Sequence, residues 1–208
     1  MMDYSKIDAV IRELLAVHAG EKAPPEQFRE GIQALGPEGG RLVETVVRMV
    51  RPRLGLEIGT SSGFSALCAL RGALDGGFRL ITVDHDRAKI EWARENFVRA
   101  GVQDRVEIVV DDALAAAEKL AGPFDYVLLD ADKEQNLPLI KTLLPKLNPG
   151  AVVLTDNALT HQVQMRGFFE FVQSHHELAS ATYHTGHGIE VTVKLVPRIT
   201  ERVSPRDT

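Results

Sequence analysis

From about Leu54 to Val172, short apolar runs alternate with amphipathic stretches of helical period, and few folds accommodate that alternation. The apolar runs are Leu54–Ile58, Arg79–Val83, Val106–Val110, Tyr126–Leu129 and Ala151–Leu154. Runs of this kind suit strands buried on both faces, and strand–helix alternation builds a mostly parallel sheet between two helical layers. Ile90, Ala93, Phe97 and Ala100 form one helical stripe, with Asp86 near its start and Gly101 just past its end. Leu139, Ile140, Leu143, Leu144 and Leu147 form a second, stopped by Asn148-Pro149-Gly150; Met165, Phe168, Phe169 and Val172 form a third. Stripes at this spacing read as core. Two further strands, Ala181–Thr185 and Glu190–Leu195, flank Gly186-His187-Gly188 and predict a hairpin closing one edge of the sheet. Upstream, Tyr4–Ala19 and Glu38–Val50 read as helices joined across Pro24-Pro25 and Gly36-Pro37, while Pro197–Thr208 reads as a frayed polar tail.

The 208 residues fit one domain, residues 1–208, with a helical segment over about 1–50 and no internal repeat. Net charge is −5, from 24 basic and 29 acidic residues with mixed signs, so no basic surface points to a nucleic-acid partner. Cys68 is the single cysteine and lies in an apolar helical run, which excludes a disulfide scaffold and reads as a small buried hydrophobe. Neither a signal-peptide core nor a membrane-length apolar run is visible, so the expectation is a soluble cytoplasmic protein without a membrane partner.

The first strand leads into Glu57-Ile58-Gly59-Thr60-Ser61-Ser62-Gly63-Phe64-Ser65. A strand, a glycine-bearing turn and a helix N-terminus make a socket for the polar part of a nucleotide-like ligand. Gly59 and Gly63 admit close approach to the backbone, and Ser61, Ser62 and Ser65 offer hydroxyls. The second strand ends on Asp84, about where such sheets hydrogen-bond a ribose diol. The third ends on Asp111-Asp112-Ala113, where an adenine edge would lie. Each acid alone also suits a helix N-cap, with Asp86 and Asp111 the strongest competitors. The fourth strand ends on Asp130-Ala131-Asp132-Lys133 and the fifth on Asp156-Asn157. Neighbouring strands bring Asp130, Asp156 and Asn157 to one rim. Three oxygen ligands without Cys or His suit a hard divalent cation, Mg²⁺ first, with Mn²⁺ or Ca²⁺ as alternatives. Lys133 reaches the same rim, and a lysine beside a cation can serve as a base near neutrality. Capping alone is the competing account of these acids.

On these motifs the chain resembles the cation-dependent O-methyltransferases of catechol and caffeoyl-CoA type, over about Gly36 to Leu195. Leu129-Asp130-Ala131-Asp132-Lys133 and Thr155-Asp156-Asn157 are the specific matches; the glycine turn alone implies only a methyltransferase of Rossmann-like fold. The resemblance implies a seven-stranded, mostly parallel sheet with the last strand antiparallel, and S-adenosyl-L-methionine as methyl donor. It places Glu57, Gly59, Ser61, Gly63, Ser65, Asp84, Asp112, Ala113 and Asp130 at the cofactor, Asp130, Asp156 and Asn157 at the metal, and Lys133 as catalytic base. Asp132 belongs near the same shell. The implied reaction is methyl transfer to one hydroxyl of a small vicinal diol. Asp111 departs from the family's usual glycine, and Thr160 from a common aromatic. The segment after Asn157 is short, which favours a small acceptor. His161 lies near the site, as a substrate contact or as a solvent-facing helix-start residue. His175, His176, His184 and His187 lack a ligand-like pattern and read as surface or hairpin residues.

Three rivals stand beside this reading: a metal-independent N- or O-methyltransferase, a nicotinamide-dependent oxidoreductase, and a non-catalytic module of the same fold. Ser61 at the middle-glycine position argues against the second. Val10, Ile11, Leu14, Leu15 and Val17, with Leu42, Val43, Val46, Val47 and Val50, offer apolar surface for a homodimer or for packing within the chain.

Overall fold

The computed structural model describes residues 4–25, 35–73, 77–130 and 132–197. The expected frayed tail therefore lies almost wholly outside the described residues. The described chain opens with helices α1 (Tyr4–His18) and α2 (Gly36–Val50). Then follow β1 (Leu54–Ile58), α3 (Phe64–Gly72), β2 (Arg79–Asp84), α4 (Arg87–Ala100), β3 (Val106–Val110) and α5 (Ala113–Lys119). β4 (Phe124–Leu129), α6 (Asn136–Leu143), β5 (Leu147–Asp156), α7 (Arg166–Ser174), β6 (Leu178–Tyr183) and β7 (Ile189–Lys194) complete it.

The strands form one seven-stranded sheet in the order β3-β2-β1-β4-β5-β7-β6. The β1–β2, β1–β4, β2–β3 and β4–β5 pairs are parallel; β7 runs antiparallel to both β5 and β6. The strand order reverses beside β1, and ligands of such sheets bind outside the strand C-termini at that reversal. Alternation along the strands divides the core. Tyr126, Leu128 and Leu154 face a layer with Ile7 and Val10 of α1, Val43 and Val46 of α2, and Leu67 and Leu70 of α3. Val127, Leu129 and Val153 face the other layer, with Leu139, Ile140 and Leu143 of α6 and Phe168 and Val172 of α7. Each such side chain, once fully buried, contributes about 1.5–3 kcal/mol. Of the apolar residues of α1 and α2 named above for a homodimer or for packing within the chain, Val10, Ile11, Leu14, Val43, Val46 and Val47 are buried within the chain.

Most boundaries shift by one or two residues from the sequence reading, and the largest differences fall at β5 and β6. Leu147, assigned above to a helical stripe, begins β5, because α6 ends in a 3₁₀ turn over Leu144–Lys146, with Pro145 in its first turn, and the chain is extended from Leu147 on. Asn148-Pro149-Gly150 then sits inside β5 as an irregularity, across which the pairing jumps from Phe124↔Leu147 to Tyr126↔Val152. β6 starts at Leu178 rather than Ala181, since Leu178 is the buried position that pairs with Lys194. Among the described residues no helix is long and apolar enough to cross a membrane.

Candidate active site

A cleft of about 1020 Å³ opens at the C-terminal ends of β1, β2, β3 and β4. Gly59 and Ser61 form its wall after β1, Asp84 and His85 after β2, Asp111, Asp112 and Ala113 after β3, and Asp130, Asp132 and Lys133 after β4. Lys89, Glu134, Gln135, His161 and Gln164 complete the polar lining.

The glycine turn is held from below. Gly63 caps α3 in the left-handed region (φ 80°), and an added Cβ would lie 2.7 Å from the Phe97 ring, so only glycine lets α4 pack here. Ser61, also left-handed (φ 46°), donates its backbone N–H to Asp84 Oδ2 at 3.0 Å. Asp84 Oδ1 accepts from Asp86 N at 3.0 Å, and the second lone pair on each oxygen is left for a ligand hydroxyl. Glu57, Gly63 and Ser65, assigned above to the cofactor, do not line the cleft. Glu57 is buried beneath it and accepts from Ser65 Oγ and Thr82 Oγ1, both at 2.5 Å. Thr82 in turn meets Thr60 at 2.7 Å. Burial raises the Glu57 carboxyl to about 7 against the pull of those two hydroxyls, and the charges of Asp130 and Asp84 push the same way.

Capping accounts for part of the acid set, at a shifted position. Asp86 caps α4, accepting from Ala88 N and Lys89 N; Asp112, not Asp111, caps α5, accepting on Oδ1 from Leu114 N and Ala115 N. Asp112 Oδ2 is not used by the cap. Asp111 instead pairs with Lys119 Nζ at 2.6 Å and holds Asp112 N, which lowers its carboxyl.

At the ends of β4 and β5 the register pairs Leu129 with Thr155, which sets Asp130 and Asp156 at neighbouring strand ends. Lys133 Nζ donates to Asp130 Oδ1 at 2.9 Å, and both line the cleft. Burial raises the Asp130 carboxyl although Lys133 opposes it. Asp156 is raised to about 6 by burial and by the charge of Asp130. Asp156 (6% exposed) and Asn157 (8%) lie outside the cleft lining. Asn157 is held in the left-handed region (φ 65°), which an asparagine tolerates better than most residues. Its Nδ2 faces Thr160 Oγ1 at 3.5 Å and His187 Nδ1 at 3.4 Å. His161 lines the cleft, its Nδ1 2.9 Å from Thr160 Oγ1.

Among the described residues no three His, Cys, Asp or Glu side chains cluster as metal ligands. The set here is two carboxylates and an amide. Two buried acids, one raised in part by the charge of the other, beside an amide fixed in an unusual backbone conformation, fit a hard divalent cation, which relieves the repulsion. The sequence reading missed His85, Lys89, Gln135 and Gln164, which reach the cleft only through the fold, and it set His187 aside although the hairpin brings it to Asn157.

This sheet order, with its cleft at the strand reversal, defines a Rossmann-like methyltransferase fold. A family profile described as "Methyltransferase domain" matches residues 56–158. The chain is 41% identical over 127 residues to a catechol O-methyltransferase of Mycobacterium tuberculosis, covering 61% of this chain and 57% of that relative. It therefore spans less than two thirds of that curated relative's length. Among solved structures, cofactor-bound Rv0187 from MTB is similar at 30% identity and a TM-score of 0.74, over 89% of each chain. An O-methyltransferase from Bacillus cereus in complex with SAH is similar at 26% identity and a TM-score of 0.74, over 89% of this chain and 90% of that one. Over residues 56–158 the chain thus carries a methyltransferase domain, similar in sequence to relatives named catechol and caffeoyl-CoA O-methyltransferase and in fold to a solved O-methyltransferase in complex with SAH.

Proposed function

We propose that this protein transfers a methyl group from S-adenosylmethionine to one hydroxyl of a small vicinal diol, assisted by a divalent cation. The observation that carries this reading is the juxtaposition of Asp130 and Asp156 at adjacent strand ends, with the Lys133 ammonium on Asp130 in the cleft.

The chain's own groups divide the work. Gly59 and Ser61 offer backbone to the polar end of the donor, and Asp84 has free lone pairs for its ribose hydroxyls. Asp112 lines the cleft after β3, and its Oδ2, outside the cap, is left for the adenine end. When bound, S-adenosylmethionine supplies the sulfonium methyl, which the acceptor oxygen takes as the S–C bond breaks. Asp130, Asp156 and Asn157 would hold the cation, which supplies positive charge beside the acceptor's oxygens. With the cation seated beside it, Lys133 would release its own proton to solvent and, as the neutral amine, take the proton that the hydroxyl loses, which leaves an ammonium beside Asp130 again. Most of the catalysis is then positioning of two partners whose charges neutralise as they react.

Calorimetric titration of S-adenosylhomocysteine, then of catechol, with and without Mg²⁺, tests this. The expected outcome is cofactor binding in both conditions and diol binding only with Mg²⁺. Diol binding indifferent to Mg²⁺ would remove the cation from the reading, and absence of cofactor binding would overturn it.

A further inference from the structure

The β6–β7 hairpin does more than close the sheet edge. Its tip is bonded to the segment that leaves the site: Ala158 N donates to Gly188 O and Leu159 N to His187 O, both at 2.9 Å. Gly188 (φ 86°) is pressed against that segment so closely that a Cβ would lie 2.4 Å from Leu159 Cγ and 2.7 Å from Leu159 N. No other residue fits there, so the contact is built into the backbone. It carries His187 to the Asn157 side chain, with Nδ1 3.4 Å from Nδ2.

An amide offers oxygen on one side and nitrogen on the other, and a hard cation takes only the oxygen. Which side faces a site is decided by the partner on the opposite side. An amide nitrogen has no lone pair to offer, so a neutral imidazole nitrogen can only accept from it. We infer that His187 is a positioning residue for the candidate cation seat, its Nδ1 accepting from Asn157 Nδ2 so that Asn157 Oδ1 is left for the metal. Thr160 Oγ1, at 3.5 Å from the same nitrogen, is a weaker second acceptor, because its closer partner is His161 Nδ1 at 2.9 Å. His187 acts through Asn157 and needs no contact with substrate. The inference rests on the proposed cation role of Asp130, Asp156 and Asn157.

His187 is exposed, so its replacement leaves the core untouched. The test is Mn²⁺ binding to the full chain, followed by loss of the free-ion electron paramagnetic resonance signal, for wild type, His187→Leu and His187→Asn. S-adenosylhomocysteine affinity is measured alongside. Leucine removes the acceptor, and Mn²⁺ affinity is expected to fall about 10–100-fold, as for other partners that orient a metal ligand. Asparagine can place its Oδ1 near the former Nδ1 and is expected to restore affinity to within about threefold of wild type, since only the orienting bond is at stake. Cofactor affinity stays unchanged in both variants. Wild-type Mn²⁺ binding by His187→Leu, or equal loss in His187→Asn, overturns the inference and leaves the cation seat standing. A wild type that takes up no Mn²⁺ overturns the seat itself, and the role of His187 with it.

Discussion

Lys133 is the residue on which the proposed chemistry turns. Its side chain is 13% exposed and its ammonium lies on Asp130, so it is held at the cleft wall rather than free in solvent. Lys133→Met keeps the length of the side chain and removes the proton acceptor. Turnover is expected to fall by about 10² or more, the usual scale for losing a positioned general base. S-adenosylhomocysteine affinity should hold, since the walls after β1, β2 and β3 are untouched. Steady-state kinetics beside a binding isotherm would check this, and near-normal turnover would take Lys133 out of the mechanism. At this scale the sequence was informative wherever function depends on local spacing. Lys133 three residues after Asp130, and Asp156 beside Asn157, are visible in one dimension. Glu57 is different: its position in the motif is plain, but only the fold turns it inward to Ser65 and Thr82 instead of into the cleft.

At the scale of elements, the hairpin tip and the segment after β5 behave as one unit. Gly188→Ala would force a side chain into the left-handed region and into Leu159 at once. A cost of at least about 1 kcal/mol is expected from the backbone alone, with the clash adding to it. For a chain of this size that lowers the melting temperature by several degrees, at about 2–4 °C per kcal/mol. Because the strain falls on Ala158 and Leu159, metal-dependent acceptor binding should weaken more than cofactor binding. Thermal melts and the two titrations would check the split; wild-type stability in Gly188→Ala would mean that the tip is not docked as described. The strands themselves were legible because apolar runs of four to six residues between turn signals have few other uses. β5 was read short because Asn148-Pro149-Gly150 resembles a terminator, and a strand can carry it only as an irregularity beside a partner that sequence does not display. The docking of His187 on Asn157 joins residues 30 apart through an antiparallel pairing, and no local pattern announces it.

For the molecule as a whole, the site should be a burden on the empty fold. Glu57 is raised from the ordinary 4.5 to about 7, and Asp156 from 3.8 to about 6, in both cases chiefly by burial. Between the unfolded and folded values, the folded chain holds protons that the unfolded chain has released. Stability must therefore fall as pH rises through that window, from about pH 4 to about pH 7, and stay low above it. The acids lowered by surface ion pairs, Glu13 and Asp111, act in the opposite sense but are exposed to solvent, which screens them. Glu57→Gln isolates the share of Glu57. The amide accepts from Ser65 on its oxygen and donates from its nitrogen to Thr82, whose hydroxyl then turns toward Thr60, so the buried chain stays bonded. At pH 8 the variant, free of ligands, should be more stable than wild type by on the order of 1–3 kcal/mol, and near pH 4 the two should converge. Melting curves across that range read the difference directly. A constant offset at every pH, or a variant weaker than wild type at pH 8, would show that Glu57 is already ionised at no cost in the fold. The expected curve would instead mean that charge is stored under the glycine turn and is there to be offset when the cationic donor binds.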